Sequence, residues 1–135
     1  MKIEDIIFYE SKTFTDEDGS LSVFERNSDI PFEIQRIFYV YGAPENVVRG
    51  KHAHKETKQF FICLKGSCEM LFDDGENKKK FTLNSCNKAV LVPEGIWGEE
   101  TYLEKDTILL VLCNTKYDDG DYLKDYNEFV EWKKY

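Results

Sequence analysis

The sequence is short of what a nucleic-acid or membrane protein needs. It has only three arginines, Arg26, Arg36 and Arg49, and its formal net charge is −8, so a basic face for a polyanion is not expected. No apolar run approaches the roughly 20 residues of a membrane span. The start, Met1-Lys2-Ile3-Glu4-Asp5, soon turns acidic and leads into no long apolar stretch, so neither a signal peptide nor a membrane anchor is expected. With three prolines, eight glycines and no low-complexity tract, the chain offers no linker, and residues 1–135 read as a single domain. The four cysteines, Cys63, Cys68, Cys86 and Cys113, have neither zinc-ribbon nor redox spacing. Cys63 and Cys113 sit inside the runs FFICL and ILLVLC, where a thiol behaves as a small hydrophobe. All four are read as reduced thiols of a cytoplasmic protein.

What the chain does have is apolar and aromatic. Hydrophobic residues make up 41% and aromatics 15%, with ten Phe and eight Tyr, enough for a packed core. The pattern is one of short strands. Candidates fall at 6–9, 21–25, 34–41, 52–54, 59–64, 68–72, 80–83, 89–92, 97–102 and 107–113, separated by turn residues. Asp16-Glu17-Asp18-Gly19-Ser20 and Lys65-Gly66-Ser67 read as turns. Asp73-Asp74-Gly75 is the strongest hairpin signal, because Asp-Gly supplies the positive φ angles such turns require. Strands at this spacing predict an all-β sandwich or barrel. Only the tail, 121–134, has helical spacing, with Tyr122, Leu123, Tyr126, Phe129, Val130 and Lys133 roughly on one face.

The chemistry concentrates in Arg49-Gly50-Lys51-His52-Ala53-His54-Lys55-Glu56-Thr57-Lys58-Gln59. It contains the only two histidines of the protein. On a strand, side chains at i and i+2 share a face, so both imidazoles project together. Such a pair presents either two metal ligands or two acid/base groups to one cavity.

These residues resemble the cupin superfamily. Its first motif is matched by His52-x-His54, four residues, Gln59, six residues and Gly66; its second by Pro93-Glu94-Gly95-Ile96-Trp97-Gly98. The scaffold positions are kept, but two ligand positions are changed: Gln59 stands for a glutamate and Gly98 for a histidine. Two neutral imidazoles are a poor site for a divalent ion. Either other ligands, such as Glu56, Glu99 or Glu100, complete a metal site, or the histidines transfer protons without metal or cofactor. The second reading is the more economical. The resemblance implies a cupin jelly-roll barrel with a short C-terminal helix.

A narrower likeness runs through nearly the whole chain. Gly19-Ser20-Leu21, Ile30-Pro31-Phe32, Arg36-Ile37-Phe38-Tyr39, Arg49-Gly50 with His52-Ala53-His54, Gly66-Ser67-Cys68, Leu71-Phe72-Asp73-Asp74-Gly75, Tyr117-Asp118, Asp121-Tyr122 and Asp125-Tyr126 resemble the cupin-type 3,4-ketoisomerases. Those enzymes act on dTDP-4-keto-6-deoxyglucose. The resemblance implies that a carbonyl moves from C4 to C3 of a dTDP-linked 4-keto-6-deoxyhexose through an enediol, without a metal. The product is a 3-keto sugar ready for transamination. It also implies a homodimer with exchanged strands. Carried over, His52 and His54 are the acid/base pair and Tyr39 a phenol on the sugar hydroxyls. Arg49 and Arg36 are placed on the diphosphate, with Gln59 and Trp97 as further substrate contacts. Asp18 and Gly98 depart from residues common in that family, which leaves the C4 configuration of the product open. A dTDP-sugar epimerase-like enzyme and a non-catalytic sugar-nucleotide-binding cupin are the alternatives.

Overall fold

The computed structural model describes residues 1–135. Its strands, in chain order, are β1 (Ile7–Glu10), β2 (Lys12–Asp16), β3 (Gly19–Val23), β4 (Arg36–Val40), β5 (Val47–His54) and β6 (Gln59–Lys65). They continue with β7 (Cys68–Asp73), β8 (Lys78–Leu83), β9 (Lys88–Val92), β10 (Trp97–Tyr102), β11 (Ile108–Cys113) and β12 (Tyr122–Leu123). One helix follows, α1 (Tyr126–Lys133). The strands form two five-stranded antiparallel sheets, ordered β1-β9-β6-β11-β4 and β12-β5-β10-β7-β8, a cupin-like jelly roll. The β2–β3 hairpin stands apart and pairs with no other strand.

Strand alternation decides what each face carries. From β6 and β11, Phe61, Cys63, Leu109, Val111 and Cys113 point between the sheets, where Met70, Phe72, Val90 and Tyr102 meet them. Phe60, Ile62 and Leu112 point outward, yet they are buried too, beneath Ile30 and Phe32 of the segment that precedes β4. Burial of both faces is why FFICL and ILLVLC read as unbroken apolar runs instead of alternating ones. The second sheet is covered on its outer face by α1, whose Phe129 closes over Ala53, Trp97 and Leu123.

Three elements differ from the sequence reading. The strand expected at 52–54 starts at Val47, because positive φ at Gly50 and Lys51 breaks the alternation that would have marked it. A strand occupies 12–16, pairing Phe14 with Leu21 across the Asp16–Gly19 turn. The expected helix at 121–134 is cut to 126–133, since Tyr122 and Leu123 extend to pair with His54 and Ala53. Asp125 then accepts a hydrogen bond from Glu128 N at 3.0 Å and caps the helix start. The Asp-Asp-Gly turn is where the sequence places it: Gly75 has φ +97° and Asp74 N bonds to Asn77 O at 3.1 Å.

An eight-residue helix has little stability of its own. It is held by Phe129 and by Lys133, which donates to Gly95 O at 2.9 Å. Phe129→Ala is therefore expected to cost about 3–5 kcal/mol, measured as a shift of the urea unfolding midpoint at unchanged slope.

Candidate active site

A regular strand could not present Arg49, His52 and His54 to one cavity, since 49 and 52 would lie on opposite faces. The β5–β10 ladder resolves this. Val47 and Arg49 face Tyr102 and Glu100, then the register slips so that His52 faces Gly98. Gly50 and Lys51, at φ +84° and +58°, make the bulge. It switches the inward parity from odd to even residues. Gly50 is required twice over: a Cβ there would overlap the Glu100 carboxyl and would lie 3.0 Å from Gly98 O.

The bulge places Arg49, Gly50 and His52 around a cavity of about 90 Å³ between the sheets, with Gln59, Glu100, Tyr102 and Phe38 on its other walls. His54 sits beside it, its ring 5.0 Å from that of His52 and 4.4 Å from that of Tyr122. Tyr122 also lies 5.0 Å from His52, so one phenol borders both imidazoles. Arg36 closes this side, its guanidinium 5.6 Å from the Tyr117 ring, and its Nε is buried without a partner.

Asp121 organises the pair. Its Oδ2 lies 2.7 Å from His54 Nδ1 and accepts from Thr57 Oγ1 at 2.6 Å, while Oδ1 accepts from Glu56 N at 2.6 Å. Burial works against the Asp121 charge, but these bonds outweigh it and hold the carboxyl below its ordinary range. Burial also pulls His54 down to about 4, against the opposing pull of Asp121. His54 is thus neutral near pH 7, with its proton on Nδ1 and a lone pair on Nε2. That Nε2 is buried and has no partner. His52 is likewise lowered, chiefly by burial. Two neutral imidazoles, one oriented by an anion, can take a proton from and return it to a bound molecule.

Two expected site residues lie elsewhere. Tyr39 is 60% exposed on the outer face of β4, beside Tyr41, because Phe38 and Val40 take the inward positions. Trp97 is 5% exposed under α1, packed on Phe129 and Tyr126, with Nε1 donating to Glu99 at 3.1 Å. Strand parity turns both side chains away from the cavity. The phenol beside the histidines is Tyr122, and the carboxylate is Asp121. The sequence marked both only as points of likeness and read them as a helix start; the signal that finds them is the pairing of 122–123 with 53–54.

The donor set does not suit a metal. Gln59 offers a neutral amide and sits 3.9 Å from Cys113 Sγ. At Gly98 a Cβ would lie 3.3 Å from the Phe72 ring, which fills the room a third imidazole would need. No three His, Cys, Asp or Glu side chains converge on one point. Glu56, Glu99 and Glu100 do not complete a set.

Comparisons with known proteins bear on the family and the fold. A family model described as FdtA: WxcM-like, C-terminal matches residues 4–134. A TDP-4-oxo-6-deoxy-alpha-D-glucose-3,4-oxoisomerase from Aneurinibacillus thermoaerophilus is 37% identical over 124 residues, 92% of this chain and 87% of that protein. Among solved structures, a 3,4-ketoisomerase from Helicobacter canadensis superposes with a TM-score of 0.92 at 36% identity, covering 96% of this chain and 98% of the other. A TDP-fucose-3,4-ketoisomerase from Campylobacter jejuni gives 0.88 at 40% identity, covering 96% of each chain.

The state of His54 can be read directly. Its ring is expected to titrate near 4 by NMR, with Nδ1 protonated above that pH. Because the unfolded pKa is about 6.5, the unfolded chain takes up this proton first, so His54 withdraws stability as pH falls from 6.5 towards 4. Asp121→Asn should move the proton to Nε2, since the amide donates where the carboxylate accepted. A ring that keeps its Nδ1 proton in that variant refutes the orienting role.

Proposed function

The chain belongs to the FdtA (WxcM-like, C-terminal) family, and on that premise we propose that it is a sugar-nucleotide 3,4-ketoisomerase acting on dTDP-4-keto-6-deoxyglucose. The observation that carries the mechanism is the unpartnered Nε2 of a neutral His54 whose Nδ1 is engaged by Asp121. Nε2 takes the C3 proton. The released electron pair forms the C3=C4 double bond, and the C4 carbonyl oxygen takes up a proton, giving the enediol. Loss of the O3 proton then makes the C3 carbonyl as C4 is protonated. His52, on the cavity wall, is suited to return that proton, and Tyr122, bordering both rings, to hydrogen-bond the hydroxyls or carry the proton between them. Each transfer of this kind contributes roughly 10²–10⁴-fold.

Arg49 at the cavity and Arg36 beside Tyr117 are the cations for the diphosphate. Burial of Gln59 on the same wall suits a contact to the hexose. The thiols of Cys63, Cys68 and Cys113, all raised by burial, serve as small core residues, which suits a reducing, cytoplasmic compartment. No helix is long and apolar enough to cross a membrane.

A second copy of the chain is the partner we assign. The β2–β3 hairpin lies outside both sheets with Phe14 and Leu21, a directly opposed pair, 61% and 60% exposed. A lone hairpin of this kind is marginal in water, and Ile37 and Tyr39 of β4, with Tyr41 just after it, leave a second apolar strip. Strand exchange through the hairpin would cover such surface.

Proton NMR of the product from purified, EDTA-treated protein tests the reaction. A 3-keto sugar is expected, and its H4 coupling reports the gluco or galacto configuration. A changed stereocentre with the ketone still at C4 would mark an epimerase, and binding without turnover a binding module. His54→Asn is expected to lower kcat by roughly 10²–10⁴-fold, while Lys79→Ala, an exposed side chain of β8, leaves it near the wild-type value. Equal rates in the two variants would sink the role of His54. Light scattering should give twice the 15.9 kDa chain mass, and Phe14→Asp with Leu21→Asp should shift it towards one; a wild-type monomer rejects the dimer.

A further inference from the structure

One buried acid of the cavity has no part in the mechanism above. Glu100 is 8% exposed on β10, and it shares the cavity wall with Arg49, His52 and Gln59. Its carboxyl lies against the backbone of Gly50, and the backbone N–H bonded to it is its own. Arg49 stands opposite in the ladder without closing an ion pair, its side chain reaching towards solvent. The neighbours across the sheet, Met70 and Cys68, are apolar, so packing alone would favour a Leu or Met here. A buried carboxyl with unspent hydrogen-bonding capacity at a cavity wall is costly unless something else engages it.

The charge state follows from what faces it. Burial pushes Glu100 up to about 8, with Arg49 pulling it down and Glu99 pushing it up. Cys68 from β7, Tyr102 from its own strand, and His52 and Gln59 across the cavity carry no charge near pH 7. The strands β4 and β11 present only Phe38, Val40, Leu109 and Val111. Near neutral pH, Glu100 is therefore mostly a carboxylic acid with one O–H to donate.

We propose that Glu100 is a substrate-contacting residue that donates a hydrogen bond from the cavity wall to an oxygen of the bound hexose. The inference rests on the ketoisomerase reading and adds a specificity and rate determinant to it. As negative charge builds on the sugar oxygens towards the enediol, the bond strengthens, and a neutral donor does so without placing an anion beside a diphosphate substrate. Ionisation removes the donor and sets a buried negative charge against the developing one. Turnover is thus expected to fall as pH rises through about 8.

The test is kcat/KM for dTDP-4-keto-6-deoxyglucose between pH 6 and 9.5 for wild type, Glu100→Gln and Glu100→Leu, with folding checked by circular dichroism. Glutamine keeps a donor and cannot ionise, so it should retain activity near neutral pH and lose the alkaline decline. Leucine should lose about 10-fold or more near neutral pH and, having no ionisable group, should likewise lose the alkaline decline. If the leucine variant does not fold, the glutamine profile decides. Wild-type turnover with an undiminished leucine variant, or an unaltered alkaline decline in the glutamine variant, overturns the assignment of Glu100 alone. No turnover by the wild type overturns the ketoisomerase reading and this assignment with it.

Discussion

The carboxylate of Asp121 is the interaction on which the site depends. It is buried, and it is tolerated there because three donors reach it: His54 Nδ1, Thr57 Oγ1 and Glu56 N. Removing one partner of such a buried charged group typically costs about 3–5 kcal/mol, so the three elements that supply it are tied together. The last residues of β5, the 55–58 loop and the tail before α1 form one unit. The ladder between 122–123 and 53–54 reinforces it, as do Lys55 N on Asp121 O at 2.9 Å and Gly95 N on His54 O at 2.7 Å. Lys133 of α1 then holds Gly95 from the far side of the sheet. The His54 imidazole is thus positioned from both faces of the second sheet.

Much of this was legible in the sequence because alternation is a local property. The strand runs, the Asp-Asp-Gly hairpin and the histidine pair depend on neighbours within a few residues. The cost of that locality shows at Tyr39 and Trp97. Each was matched by motif, and each motif matched, but the side-chain direction is set by pairing partners far along the chain. Phe38 and Val40 claim the inside of β4, and α1 claims Trp97. Asp121 and Tyr122 were hidden for the complementary reason. Helical spacing from 121 is a real pattern, but pairing with β5 converts its first residues to strand, a contact with partners 68 and 70 residues earlier in the chain.

The bulge at Gly50–Lys51 is a further case of what a pattern reading misses. Two consecutive residues at positive φ look like a defect in an otherwise regular strand. They are what lets an arginine three residues before a histidine face the same cavity. Glycine is needed at the first position because the Glu100 carboxyl occupies the space of its Cβ. At the second, a lysine adopts the left-handed region at some strain, with its long side chain exposed to water.

The altered ligand positions can then be understood as one change. In a metal cupin, a cation supplies the charge that stabilises an oxyanion, and the ligands exist to hold it. Here Gly98 leaves its side of the barrel to Phe72, and Gln59 turns its amide to Cys113. Each departs from ligation in the same direction, towards a neutral interior. Such an interior lowers His54 and raises Glu100 for one physical reason, burial, and so leaves a neutral imidazole and a neutral carboxyl near pH 7. A resident divalent ion would reverse both effects, stabilising a charged carboxylate and occupying the imidazole lone pair. The Asp121 carboxylate is what orients His54 in that interior.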